Sequence, residues 1–331
     1  MHGTFVIFGI EFPAYFTLLM VGFLAGTWIT FRHATAARID PNTILDFGML
    51  IVIGGVLGGR AAHVLFDGQM TDYYYLCVDP LKTTGELIPT ATPSKCESAD
   101  QCVAANLGDL CHPDNGTCHS DRDCLRVFKF WYGGLTYYGG FLVAIPLGIW
   151  FLRRRKVNPW KVGDMAAFGV PLGIGFGRLG CFYAGCCFGD ICDAPWGTSF
   201  PTGSPAWRTH LDETRILSSD ASLPVHPTQL YEAIGCILLS GAMLWFYHRR
   251  KTFHGQAFWL MAIGYAVLRF IVEMFRADQR GTLLGLSTSQ TIGVFLIITS
   301  LVMIPYLRRR PQTDEPVPKG WRPEPKPTSE S

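Results

Sequence analysis

Charge is scarce in this chain. Only 16% of its 331 residues are Asp, Glu, Lys or Arg, against 49% hydrophobic residues and a mean hydropathy of +0.22. Soluble domains carry about 25% charged residues, so an ordinary water-soluble enzyme is excluded and the bilayer is the expected solvent. Other features are missing as well. No Lys-Ser or Lys-Thr follows the glycine-rich runs, which argues against a phosphate-binding loop. No His, Cys or acidic set has zinc-ligand spacing, and no solenoid-type repeat is visible. No cofactor, no metal and no nucleic-acid partner are therefore expected. Residues 1–12 lack the basic start of a secretory leader, and no small-residue cleavage site follows, so the first apolar segment is expected to be a retained span.

Long apolar runs are what the chain does have. A helix crossing a bilayer needs about 20 such residues, and segments of that kind start near Ala14, Ile44, Tyr132, Asp164, Thr228, Gln256 and Ser289. The expected fold class is an all-α polytopic membrane protein of about seven transmembrane helices. Lys and Arg gather in alternate connections, at Arg32 with Arg38, Arg153 to Lys161, Arg249 to Lys251 and Arg308 to Arg310, which marks these as cytoplasmic. The N-terminus and the connections Asp67–Trp131, Asp190–Pro227 and Ala277–Thr288 then face outward. This divides the chain into two helices within 1–66, an outward loop over 67–131, a helical core over 132–306 and a Pro- and Lys-rich tail over 307–331. The core includes a head loop over 190–226, and the tail is expected to be disordered.

Six of the eleven cysteines, Cys77, Cys96, Cys102, Cys111, Cys118 and Cys124, fall in the first outward loop. An even number in an oxidising compartment points to disulfides, with the connectivity open. His112 and His119 beside them match no zinc pattern.

Charged side chains within spans are costly and usually mark function. Arg60 lies toward the outer end of the second span and Tyr138 near the outer end of the third. Arg178 is in the fourth, and Arg269, Glu273 and Arg276 are in the sixth. Counted from the inner ends at 1.5 Å per residue, Arg178 lies at about 21 Å, Arg269 at about 20 Å and Arg60 at about 24 Å. These residues, with Tyr138, share one layer in the outer half of the membrane. Arg269, Glu273 and Arg276 share a helical face, which an internal ion pair plus a snorkelling Arg276 would also explain. The glycines of the fourth span, Gly173 to Gly189, serve either close helix packing or a broken helix lining a polar cavity; Arg178 among them favours the break. His226, Gln229, Tyr231 and Glu232 crowd the first turns of the fifth span, where a plain interfacial helix end is the competing reading.

In this order, several groups of residues resemble the prolipoprotein diacylglyceryl transferase family. They are Gly58-Gly59-Arg60 with Val64-Leu65-Phe66, Gly133-Gly134-Leu135 with Gly139-Gly140, and Gly177-Arg178-Leu179-Gly180 with Phe182 and Gly185. His226-Pro227 with Gln229-Leu230-Tyr231-Glu232, and Gly264-Tyr265 with Arg269, Glu273, Phe275 and Arg276, complete the set. The resemblance covers nearly the whole chain outside the cysteine insert and the tails. It implies seven spans, an outward N-terminus, a small periplasmic head and a Cys-rich periplasmic insert in a bacterial inner-membrane protein. It also implies transfer of the diacylglyceryl group of phosphatidylglycerol to the lipobox cysteine of a prolipoprotein signal peptide, by a protein expected to act as a monomer. The family's essential arginines fall on Arg178 and Arg269, and a functional first-span tyrosine falls on Tyr15. Arg60, Arg276, Gly180, Gly189, His226, Gln229, Tyr231 and Glu232 complete the expected phosphatidylglycerol site. Three positions depart from the family: Tyr138 stands where His is frequent, Cys181 where Asn is frequent and Cys186 where Glu is frequent.

The chemistry needs an anion held while a thiolate approaches in line. Arginine forks suit phosphate, so Arg178 and Arg269 are the expected phosphate ligands and Glu273 the residue that fixes Arg269. Tyr138 is the first candidate for the base, with His226 and Glu232 as alternatives. The competing classes are a divergent paralogue, an anionic-lipid binding protein or carrier, and a thiol-redox protein using Cys181, Cys186, Cys187 and Cys192. The carrier reading requires inverted repeats, of which only Gly59-Arg60 and Gly177-Arg178 give an echo. The redox reading lacks a C-x-x-C pair, and Cys181 and Cys187 are read as small packing residues.

Overall fold

Prolines open two of the long helices. Pro41 and Pro159 follow Asp40 and Asn158, whose side chains accept the Asn42 N–H at 3.0 Å and the Trp160 N–H at 2.9 Å. A proline at this position sacrifices no intrahelical bond. These helices therefore begin before the apolar runs that mark them in the sequence.

The computed structural model describes residues 4–7, 10–35, 37–83, 96–104, 110–112, 118–119, 122–129, 134, 136–217, 219–276, 282–283 and 286–310. Its helices are α1 (Ala14–Ala34), α2 (Pro41–Phe66), α3 (Met70–Val78), α4 (Ala99–Ala104), α5 (Tyr137–Arg154), α6 (Pro159–Ala184), α7 (Pro205–Asp212), α8 (Thr228–Arg249), α9 (Gln256–Glu273) and α10 (Thr288–Arg309). Three short antiparallel hairpins join β1 (Thr4–Ile7) to β2 (Ile10–Pro13), β3 (Leu110–Cys111) to β4 (Cys118–His119) and β5 (Thr282–Leu283) to β6 (Leu286–Ser287). Among the described residues, six helices are long and apolar enough to cross a membrane. The seventh long helix, α5, has 18 residues, with tyrosines at its start and Arg153 and Arg154 at its end. The expected disordered tail lies outside the described residues beyond Arg310.

The chain falls into two compact units, Met1–Leu45 with Arg155–Ser331, and Asp46–Arg154. In the first, α1 packs on α6, α6 on α8, and α9 on α6, α8 and α10. Glycines set the closest of these approaches. A Cβ on Gly22 would lie 2.7 Å from Phe176 Cβ and 2.9 Å from Gly173 O, and one on Gly26 would lie 2.8 Å from Gly169 O. Two small-residue stripes thus face each other, Gly22 and Gly26 on α1 and Gly169 and Gly173 on α6, as membrane helices use where backbones touch. This corrects the expected break in the fourth span: α6 is continuous through Arg178 to Ala184 and ends only at Gly185, which has φ 68°. Its glycines serve packing.

The buried carboxylate of Asp164 ties the other ends of these helices together. No side chain of its own caps α9, and Gly255 ahead of it has φ 90°. Asp164 of α6 does that work, accepting from Gly255 N–H at 2.8 Å, Ala257 N–H at 2.9 Å and Phe258 N–H at 3.2 Å, with Lys251 Nζ at 3.1 Å. Because Asp164 is 0% exposed, Asp164→Ala strands both the helix end and Lys251. A loss of about 3 kcal/mol is expected, read as a lower Tm of the detergent-purified protein; an unchanged Tm would exclude this role.

After Gly185 the chain builds a small head, where α7 and the bridges of Val225 to Ile191 and Thr198 surround Phe200, Ala206 and Val225. In it, His210 Nδ1 accepts the Leu223 N–H at 3.2 Å, and burial pushes this imidazole below its usual range.

The second unit holds most of α2 together with α3, α4 and α5. Its disulfides are Cys77–Cys124, Cys96–Cys111 and Cys102–Cys118. All six cysteines of the outward loop are thus paired, and the stapled module reaches back to Cys77 on α3.

Candidate active site

Glu232 sits in the second turn of α8 with its side chain 1% exposed. An ionised carboxylate there needs partners, since desolvation alone costs several kcal/mol. Two arginines supply them from two other helices: Arg178 Nε of α6 lies 3.0 Å from Glu232 Oε2, and Arg269 Nη1 of α9 lies 3.9 Å from the same oxygen. The other carboxylate oxygen accepts the Tyr265 hydroxyl at 3.2 Å. Arg269 is gripped from its far side, where Nη2 lies 2.5 Å from Glu273 Oε2 and donates to Ser289 Oγ at 3.2 Å. Ser287 Oγ donates to Glu273 Oε1 at 2.8 Å and also caps α10. The network thus runs from α6 through α8 and α9 to the start of α10.

One donor in it is unsatisfied. Arg269 Nη1 is buried without a hydrogen-bond acceptor, because its contact with Glu232 is too long to be one. Glu232 Oε2 and Glu273 Oε2 are likewise buried without a hydrogen bond, so the network holds one open donor beside two open acceptors. Arg276, 8% exposed, follows one turn beyond Glu273.

The segment after α6 is sewn to this network by backbone. Gly189 pairs with Arg276; Gly189 N–H donates to His226 O at 2.9 Å and Asp190 N–H to Phe275 O at 3.0 Å. Gly189 has no room for a side chain, since a Cβ would lie 2.3 Å from Phe275 O and 2.7 Å from His226 Cβ. Gly189→Ala is expected to cost about 1–3 kcal/mol by overpacking, visible as a lower Tm. Gly241→Ala, with nothing within 4 Å, should be neutral; equal effects of the two would rule out the steric argument. Gly180 plays a similar part against α1, where a Cβ would lie 3.1 Å from Tyr15 O and 3.2 Å from Tyr15 Cα. Tyr15 therefore stands beside the helix turn that carries Arg178.

The opening of α8 is mostly occupied with holding this segment. Thr228 Oγ1 donates to Cys187 O at 2.8 Å and Gln229 Nε2 to Cys186 O at 2.7 Å, while His226 Nδ1 and the Tyr231 hydroxyl lie 3.1 Å apart with both rings against Phe275. Of the expected site residues, Arg178, Arg269, Glu232 and Glu273 come together directly, while Gly180 and Tyr15 pack on each other in the turn beside Arg178. Gly189, Arg276, His226, Gln229 and Tyr231 are tied instead to one another and to the segment after α6.

Arg60 and Tyr138 belong to the second unit. Arg60 donates to the backbone oxygens of Arg126 at 2.6 Å, Val127 at 2.7 Å and Gly134 at 3.0 Å, and its guanidinium lies 5.1 Å from the Tyr73 ring centroid. Tyr138 lies in the first turn of α5 and is 58% exposed. Tyr265, Ser287 and Ser289 escaped the sequence reading as site residues. A serine at a helix start reads as a cap, and Ser287 is one in addition to its bond with Glu273.

An apolar helical assembly with a buried network of arginines and carboxylates defines a polytopic membrane protein. The family model described as prolipoprotein diacylglyceryl transferase matches residues 3–85 and 110–306. The chain belongs to that family. It is 35% identical over 315 residues to the phosphatidylglycerol--prolipoprotein diacylglyceryl transferase of Pseudoalteromonas atlantica, covering 92% of this chain and 89% of the relative. The protein of the same name from Geobacter sulfurreducens is 28% identical over 311 residues, covering 91% and 93%. That from Clostridium tetani is 27% identical over 308 residues, covering 93% and 98%. Residues 86–109, outside the family match, carry Cys96 and Cys102, so two of the disulfides bind this insertion to the matched chain.

Proposed function

We propose that this chain is a transferase that moves the diacylglyceryl group of phosphatidylglycerol to the cysteine thiol of a prolipoprotein lipobox, forming a thioether and releasing glycerol phosphate. The observation that carries the reading is the meeting of Arg178 and Arg269 on Glu232 Oε2 with Arg269 Nη1 unsatisfied. A headgroup phosphate is the anion this donor suits, and the name shared by the relatives supports the rest.

In the reaction the cysteine sulfur attacks the glyceryl carbon. The S–C bond forms as the C–O bond to phosphate breaks, and the electron pair leaves on the phosphate oxygen. The negative charge gained there is what Arg178 and Arg269 stabilise. Glu232 and Glu273 hold the two guanidiniums before substrate arrives, so little reorganisation is needed during the step. Burial strengthens each of these contacts relative to water. The base role is assigned to Tyr138 acting as its phenolate, which takes the thiol proton and becomes the neutral phenol. Glu232, held by two arginines and Tyr265, serves as their counter-ion, and Arg60 braces the loop around Arg126. Arg276, Tyr15, His226, Gln229 and Tyr231 shape the phosphatidylglycerol site with Gly180 and Gly189.

The protein acts as a monomer in the bacterial inner membrane, with α5 as a seventh span, the N-terminus periplasmic and the C-terminus cytoplasmic. The Lys and Arg distribution supports this orientation. The test is to incubate the purified protein with phosphatidylglycerol and a lipobox peptide and to measure the peptide mass. A diacylglyceryl adduct on cysteine is expected; an unmodified peptide under conditions where the Geobacter sulfurreducens relative modifies it would overturn the proposal.

A further inference from the structure

C-x4-C-C carries no metal-ligand spacing in an extended chain, but the end of α6 folds it onto itself. Cys181 is in the last turn, Gly185 reverses the chain in the left-handed region, and Cys186 N–H donates to Cys181 O at 3.1 Å. The Sγ atoms of Cys181, Cys186 and Cys187 consequently lie within 4.8 Å of one another. All three thiols are free, whereas the six cysteines of the second unit are disulfide-bonded.

The backbone that presents them is held in an unfavourable state. Cys187 has φ 60°, a left-handed conformation costing a non-glycine residue roughly 1–2 kcal/mol. Such a residue persists only where its surroundings over-determine it, and these positions cluster at functional sites. Here the fixing groups are named: Thr228 and Gln229, 0% and 1% exposed, bond the carbonyls of Cys187 and Cys186. A chain that needed only a small packing residue at 187 would take glycine, which pays no Cβ penalty there.

We propose that Cys181, Cys186 and Cys187 form a three-thiolate site for one soft cation, of the Cu(I) class. With metal–sulfur bonds of about 2.3 Å, ligand sulfurs stand roughly 4 Å apart, a spacing that falls within the 4.8 Å limit on the three Sγ atoms. A disulfide requires about 2.05 Å and leaves the third thiol unused. Thiolates select soft cations. Zinc fills four positions in structural sites, and among the described residues no fourth His, Cys or acidic group joins this cluster. On binding, three S–H bonds give up three protons to solvent, three S–Cu bonds form and no electron is transferred. Three thiolates around one monovalent cation retain two negative charges, and Arg178, three residues before Cys181 on the same helix face, offsets part of them. This inference does not depend on the lipid-transfer reading.

The experiment is an anaerobic titration of the purified full chain with Cu(I) against a competing chelator, bathocuproine disulfonate, with X-ray absorption on the loaded protein. One equivalent bound by three sulfur ligands is expected. Cys181→Ala and the near-isosteric Cys181→Ser should each weaken binding at least about 100-fold, more than loss of an outer-shell partner brings. Cys192→Ala and Cys236→Ala should leave it unchanged. Failure to hold Cu(I) against the chelator, binding unaffected by either Cys181 variant, zinc retained with copper excluded, or a disulfide joining two of the three in anaerobically alkylated protein would each overturn the proposal.

Discussion

Arg269→Ala should lower the rate of diacylglyceryl transfer at least about 10³-fold, the upper end of what one preorganised donor supplies in a low-dielectric site. In the proposed reaction the side chain donates to the departing phosphate, and in the structure it is the group that Glu273 and Ser289 hold. Alanine would leave Glu273, 7% exposed at its side chain, facing an empty volume, so lost activity could reflect lost structure. Arg269→Lys separates the two. It keeps the positive charge beside Glu273 but lacks the planar fork that meets two acceptors at once. The lysine variant should retain Tm within a few degrees while transfer still falls by about 10²-fold. Steady-state kinetics with phosphatidylglycerol and a lipobox peptide check this; wild-type turnover in either variant would remove Arg269 from the reaction.

Glu232→Ala should be the most destabilising single change in the molecule, by about 3–5 kcal/mol, the usual result of taking one member from a buried ion pair. Arg178 would lose its only carboxylate among the described residues, and Tyr265 its acceptor. The counter-ion role makes a further demand. If Glu232 exists to neutralise and aim the arginines, removing both charges of the α6–α8 pair should be gentler than removing one, because buried pairs replaced by apolar groups of similar volume are often tolerated. The double variant Glu232→Leu, Arg178→Met is therefore expected to recover much of the lost Tm while remaining inactive. A double variant as unstable as Glu232→Ala would mean that the pair holds the fold by more than charge.

The sequence already contained much of this arrangement. Three of the seven expected helix starts, Ala14, Thr228 and Gln256, are the observed ones, and Ser289 is one residue inside α10. Ile44 and Asp164 are late because Asp40-Pro41 and Asn158-Pro159 start their helices in polar segments, where hydropathy carries no signal. Arg178 and Arg269 stood out because charge in a span is rare, and their shared depth followed from counting residues along two helices. Glu232 was visible as a candidate, but its place between the arginines was not, since nothing local to α8 says which face meets α6 and α9. The glycine run was misread for a related reason. Its low helix propensity says break, while the matching stripe on α1, far away in sequence, says pack. The three thiols near Gly185 meet through a chain reversal that spacing rules written for extended or helical segments miss.

One measurement bears most directly on the central claim that arginine-held phosphate leaves as sulfur takes the glyceryl carbon. Phosphatidylglycerol labelled with ¹⁸O in the bond between diacylglycerol and phosphorus is incubated with the purified protein and a lipobox peptide, and both products are weighed by mass spectrometry. The account predicts one diacylglyceryl thioether per glycerol phosphate released, with all the label in the glycerol phosphate. Label in a free diacylglycerol, or a peptide carrying phosphoglycerol instead of lipid, would contradict it.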